Sequence, residues 1–93
     1  MMEVRWSQQA LSDLVEIGRW LNERNPKAAK RAEQEIGVAI SSIAKRPLAW
    51  PKARGHDAHV RSLPKWTRRI VYRVGPDFIL IISMKHTRQE SNI

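Results

Sequence analysis

The dipeptide Asn25-Pro26 limits the folds open to this chain more than any other feature. Proline disfavours helical geometry in the residue before it, yet suits the first position of a new helix, where its missing N–H would have no partner, and asparagine caps such a start. A stretch of helical periodicity lies on each side. Upstream, Ala10, Leu14, Ile17 and Leu21 form a stripe widened by Leu11, Val15 and Gly18, while Asp13, Glu16 and Arg19 face away. This predicts a helix from Gln8 to Arg24, capped by Ser7. Downstream, Ala29, Ala32, Ile36, Ala39 or Ile40, and Ile43 predict a second helix from Pro26 to Lys45, stopped by Arg46 and Pro47. With no spacer between them, the two must fold back as an antiparallel hairpin. Ala28, Ala29, Ala32 and Gly37 would let the backbones approach. A mid-helix glycine costs about 1 kcal/mol relative to alanine, so Gly37 points to a close contact. Truncating Leu14 to Ala is expected to cost about 2–5 kcal/mol.

The remaining segments read as strands. Val4 to Trp6 precedes the helices, and an irregular link with Pro47, Pro51 and Gly55 follows them, pinned to the core by Trp50. A strand from His59 to Leu63 ends at Pro64. The next, Arg68 to Val74, alternates: Ile70, Tyr72 and Val74 on one face, Arg69, Val71 and Arg73 on the other. Gly75-Pro76-Asp77 turns the chain into Phe78 to Met84, whose apolar run predicts a central strand covered on both faces. The fold class is therefore α+β, β-α-α-β-β-β, with an N-terminal helical hairpin packed on a mostly antiparallel sheet whose other face is largely basic. A chain of 93 residues buries only roughly 60% of its unfolded surface, so residues 1–93 form a single domain. Residues 87–93 carry no strong pattern.

At 42% hydrophobic with four Trp, the composition is that of a folded domain. The absence of Cys excludes a disulfide scaffold, a thiolate zinc site and a Cys nucleophile, and makes the cytoplasm the default location. No apolar run reaches signal-peptide or bilayer-spanning length, so neither secretion nor a membrane partner is expected. The net charge is +8, and it is uneven: eight bases against six acids up to Arg46, nine against three from Pro47 onward. A sheet built from the second half would attract acidic partners, whether nucleic acid or protein.

Most chemistries fail on residue type. The acids of the second half are scattered, which argues against paired-carboxylate hydrolysis. His56 and His59 lack a third ligand at useful spacing, so no metal and no other cofactor is expected. The four glycines are isolated, which excludes a phosphate-cradling loop or a nucleophile elbow. What remains is a cluster of cations: Arg61, Arg69 and Arg73, joined by Lys85, His86 and Arg88. Arg69 and Arg73 lie four apart on an extended strand, roughly 13 Å from one another on one side. His86 could move protons while Arg69 holds a phosphate, with Arg61 beside them, as cleavage of RNA through its 2′-hydroxyl requires. Trp66 could stack on a base or cap the core.

Several motifs in order resemble the RelE/ParE superfamily of toxins from type II toxin-antitoxin systems. They are Trp6-Ser7 with Ala10-Leu11 and Leu14, Asn25-Pro26 with Ala28-Ala29, Pro47, Arg61 with Leu63, Arg69-Ile70-Val71-Tyr72-Arg73-Val74, and Ile79-Leu80-Ile81 running to His86. The resemblance implies the fold above and one of two targets. RelE-like members cut messenger RNA in the ribosome, using an Arg where Arg69 stands, charged residues on the preceding strand and often a Tyr near the C-terminus. Here Val60 and Ser62 flank a single Arg61, and no Phe, Tyr or Trp follows Phe78. Those features, with the long hairpin and the His86 to Arg88 ending, resemble the ParE branch, which poisons DNA gyrase. The expectation is a growth-arresting toxin of the plasmid-stabilisation type that binds gyrase without being an enzyme. The alternative is a ribosome-dependent endoribonuclease. In either case the resemblance implies a cognate antitoxin whose flexible tail wraps the hairpin and sheet, steered by the basic half of the chain.

Overall fold

The computed structural model describes residues 1–53, 55 and 57–87. The elements are β1 (Glu3–Trp6), α1 (Gln8–Arg24), α2 (Pro26–Lys45), β2 (His59–Leu63), a 3-10 turn (Pro64–Trp66), β3 (Arg68–Val74) and β4 (Phe78–His86). Both helices therefore have the expected bounds. The cap of α2 is the expected one: the Asn25 side chain accepts a hydrogen bond from Ala28 N at 3.2 Å. At the start of α1, Ser7 Oγ accepts from Ala10 N at 3.0 Å and donates to Ile82 O at 2.7 Å, so one hydroxyl caps the helix and ties it to β4.

The four strands are ordered β1-β4-β3-β2. β2, β3 and β4 are antiparallel neighbours, while β1 runs parallel to β4 at the edge. The core lies between this sheet and the hairpin. Ala10 and Ile17 of α1, and Ile36, Ala39 and Ile43 of α2, pack against Ile70, Tyr72, Ile79, Ile81 and Met84. Trp50 packs on this core and Tyr72 Oη donates to Pro47 O at 2.7 Å, which anchors the link after α2.

Four expectations need correction. Leu11 and Val15 do not widen the buried stripe of α1; they are 49% and 59% exposed. Gly37 is exposed, and a Cβ built on it would meet nothing within 4 Å, so no close contact explains it. β4 is central but its two faces are covered unequally: Ile79 and Ile81, toward the helices, are fully buried, whereas on the other face Phe78 and Leu80 are half-buried and only Ser83 is buried. Asp13, expected to face away, instead accepts the backbone N–H of Met84 through Oδ2 at 2.9 Å.

The alternation of β4 is interrupted once. Tyr72 pairs with Ile81 and Val71 with Ser83, so Ile82 is an extra residue in the ladder. This bulge reverses the facing of everything after it. Met84 joins Ile79 and Ile81 in the core, and Ser83 pairs with Val71 on the face away from the helices.

Leu14 is only half-buried at the groove between the helices, whereas Ile17 is 3% exposed. Ile17→Ala should therefore cost about 2–5 kcal/mol and Leu14→Ala distinctly less, measured by urea unfolding of the two variants side by side.

Candidate partner-binding surface

Cross-strand partners share a face, so the register sorts the cations. Arg69 is opposite Lys85, and Arg73 is opposite Leu80, whose other neighbour is Arg5. Arg5, Arg69, Arg73 and Lys85 thus project from the open face of the sheet, with Phe78 and Leu80 half-buried among them. Arg5 was not among the residues picked out from the sequence; the alternation Glu3, Arg5 against Val4, Trp6 in β1 is the signal that marks it. Its guanidinium lies 4.2 Å from the Phe78 ring centre and its Nε donates to Glu3 at 2.7 Å. That hydrogen bond holds the Glu3 carboxyl below its ordinary range. Arg73 Nε donates to Asp57 O at 3.3 Å.

Arg61 is not part of this face. It is opposite Ile70 and follows the parity of His59 and Leu63, toward the helices. Its guanidinium sits 4.7 Å from the Trp50 ring centre, and its Nε is buried with no hydrogen-bond partner. Burial raises the Tyr72 phenol above its ordinary value, and the positive charge of Arg61 partly opposes that rise. The expected common surface for Arg61, Arg69 and Arg73 is therefore corrected to Arg69 and Arg73, with Arg61 serving the packing of the link.

His86 is also separated from Arg69. It is opposite Arg68 and on the helix side, because the Ile82 bulge shifts the parity. Thr67 Oγ1 lies 3.1 Å from His86 Nε2 and donates to Trp66 O at 2.7 Å. Arg88 and His56 lie outside the described residues. His59 is buried, stacks on Tyr72 with ring centres 5.2 Å apart, and bonds Trp50 O through Nδ1 at 2.7 Å, so it serves packing. No group of three His, Asp or Glu among the described residues could hold a metal ion. No helix among them is long and apolar enough to cross a membrane.

The open face is thus a cationic frame around a partly apolar centre, carried on a rigid sheet. Such a surface offers electrostatic attraction and apolar contact area. The sequence matches the family described as "ParE toxin of type II toxin-antitoxin system, parDE" over residues 4–91. The chain belongs to the ParE toxin family. A relative from Sinorhizobium fredii, named "Putative toxin Y4kP", is 30% identical over 94% of this chain and 90% of its own length. Among solved structures, a chromosomal ParDE system from P. aeruginosa superposes with a TM-score of 0.79 at 20% identity, covering 92% of this chain and 96% of that one. The intact RelBE complex of E. coli gives 0.62 at 16% identity, with 90% and 94% covered, and RelBE2 of Mycobacterium tuberculosis gives 0.60 at 19%, with 91% and 96% covered. These neighbours share the fold, in which two helices pack on a four-stranded mixed sheet.

A second charged junction closes the helix side of this ParE-family toxin. Glu35 of α2 accepts from Lys65 Nζ at 3.1 Å and from Trp66 Nε1 at 3.1 Å, joining the 3-10 turn to the hairpin. These bonds, led by that from Lys65, hold the Glu35 carboxyl below its ordinary range. A depressed carboxylate contributes stability above its unfolded pKa and loses it as pH falls through the folded value. Acidification through and below the ordinary glutamate range should therefore loosen the turn. Glu35→Gln should flatten the pH dependence of Trp66 fluorescence in that window while leaving neutral-pH folding intact.

Proposed function

We propose that this toxin of a type II toxin-antitoxin system acts on DNA gyrase, through the open sheet face carrying Arg5, Arg69, Arg73 and Lys85. In this reading it is a binding inhibitor, not an enzyme, and acts in the cytoplasm by trapping gyrase on its DNA. The observation that supports it best is the separation of Arg69 from His86 onto opposite sides of the sheet. Cleavage of RNA through its 2′-hydroxyl needs a proton-transfer group and a phosphate-holding cation on the same reacting atoms, within hydrogen-bond reach. The register of β4 denies that to the pair the sequence offers, and what the open face retains is suited to binding.

The proposal includes a cognate antitoxin. Structural neighbours of this chain were solved as toxin-antitoxin complexes. Here the groove between α1 and α2, about 480 Å³ and walled by Leu14, Leu21, Ala29 and Ile36, is a seat for the apolar side of an antitoxin tail. The cations of the open face would attract the acidic side of that tail before it orders.

The test is a supercoiling assay with purified gyrase, relaxed plasmid and ATP, run beside primer extension on translated messages. The toxin should block supercoiling and accumulate cleaved plasmid, leave messages intact, and lose potency at least tenfold in the double variant Arg69→Ala, Lys85→Ala. Unimpaired supercoiling at large toxin excess, or codon-positioned cuts in the messages, would overturn it.

A further inference from the structure

The helix side of the sheet holds a cleft unrelated to the open face. It measures about 570 Å³ and lies where the second half of α1, the 3-10 turn and the end of β4 meet. Trp20 of α1 and Trp66 of the turn line it together with Lys65, Thr67, Arg68 and His86. Its volume falls within that of small-ligand sites, on the order of 300–1,000 Å³.

Five observations bear on what it takes. Trp20 is 49% exposed, a large indole only partly covered. Arg24 covers one face of its ring at 4.2 Å but does not line the cleft, so the ring presents other surface there. Lys65 and Arg68 place two cations at the same opening, against Glu16 in the lining and Glu35 behind it, which pairs with Lys65 at 3.1 Å. Glu35, through its bonds to Lys65 Nζ and Trp66 Nε1, fixes the position of one cation and one indole in advance. Finally, Thr67 has φ 51, a left-handed conformation that is strained for a β-branched residue. Such strain persists where surrounding contacts impose it, and it clusters at binding sites. Here the Thr67 N–H to Pro64 O bond (3.1 Å), the Thr87 N–H to Thr67 O bond (2.9 Å) and the Oγ1 contact with His86 impose it.

We propose that this cleft binds one unpaired nucleotide of a single-stranded nucleic acid, its base stacked on Trp20 and its phosphate held by Lys65 and Arg68. Aromatic rings interleaved with cations suit this ligand: an indole accepts the face of any base, and the cations accept the backbone. Cations alone would serve an acidic peptide equally well; two indoles beside them favour a flat, aromatic, anionic ligand. A base within a duplex could not enter, because its faces are already stacked. The inference does not rest on gyrase as the target, since the residues involved are on the other side of the sheet from the open face.

The experiment is fluorescence anisotropy of a labelled short oligothymidylate titrated with the full chain, beside an abasic oligomer of equal phosphate count. The oligothymidylate should bind more tightly than the abasic strand. Trp20→Ala should weaken it roughly tenfold, Trp20→Phe should restore most of the loss, and Arg68→Ala should weaken binding while reducing its salt slope by about one. Equal affinity for the abasic strand would overturn the proposal and reduce the binding to the general positive field. So would an unchanged affinity in Trp20→Ala. An acidic peptide bearing one aromatic residue that binds more tightly than the oligomer, and loses affinity in Trp20→Ala, would reassign the cleft to a protein partner. Trp20 is half-exposed, and the abasic comparison uses the unaltered protein, so the outcome does not depend on how well the alanine variant folds.

Discussion

The seam between the start of α1 and the bulge of β4 governs the rest of the molecule. At Ile82 the ladder between β3 and β4 takes in an extra residue, and the adjoining backbone groups receive side chains from the helix. Ser7 Oγ donates to Ile82 O, and Asp13 Oδ2 accepts from Met84 N. A backbone group left buried without a partner costs about 1–3 kcal/mol, so these two contacts are what let the bulge persist beneath a packed helix. Because the same Ser7 hydroxyl caps α1, the helix start and the strand irregularity are mutually dependent. The hairpin is also held at the end of α2, where Met2 N–H donates to Ala44 O at 3.2 Å, and along α2 by the Glu35 junction to the 3-10 turn.

One inserted residue thereby divides the functional groups. Had β4 run without interruption, Lys85 would face the helices and His86 would stand beside Arg69 on the open face. With the bulge, Lys85 joins Arg69 on the open face and His86 joins Arg68 at the aromatic cleft. The first arrangement would offer phosphate binding and proton transfer together. The second separates a cationic binding face from a cleft of indoles and cations, which is why the proposed action is inhibition by binding. A toxin that works this way needs shape and charge rather than a tuned acid.

Much of this could be read from the chain because it depends on local chemistry. Asn25-Pro26 set both helix bounds, Gly75-Pro76-Asp77 set the hairpin of β3 and β4, and the alternation of Arg68 to Val74 sorted Arg69 and Arg73 correctly. The site was legible only in part, for a specific reason. A bulge in an apolar run leaves no mark when both neighbours, Ile81 and Ile82, are equally suited to either face, so the separation of His86 from Arg69 was invisible. Arg61 was misassigned because a short strand between a link and Pro64 carries too few residues to show which parity is buried. Its contact with Trp50, some ten residues upstream, is a tertiary fact. Asp13 had the spacing of a solvent-facing acid, and only the N–H of Met84 across the seam gives it a different task.

The central claim is the register of β4 against β3, and cross-strand proton contacts in an NMR spectrum of the full-length protein read it directly. The account requires Tyr72 opposite Ile81 and Val71 opposite Ser83, with Arg69 opposite Lys85 and no contact of the ladder type to Ile82. Contacts of Val71 with Ile82, Ile70 with Ser83 and Arg69 with Met84 would describe a continuous ladder. They would return His86 to the side of Arg69 and contradict the division of the two surfaces.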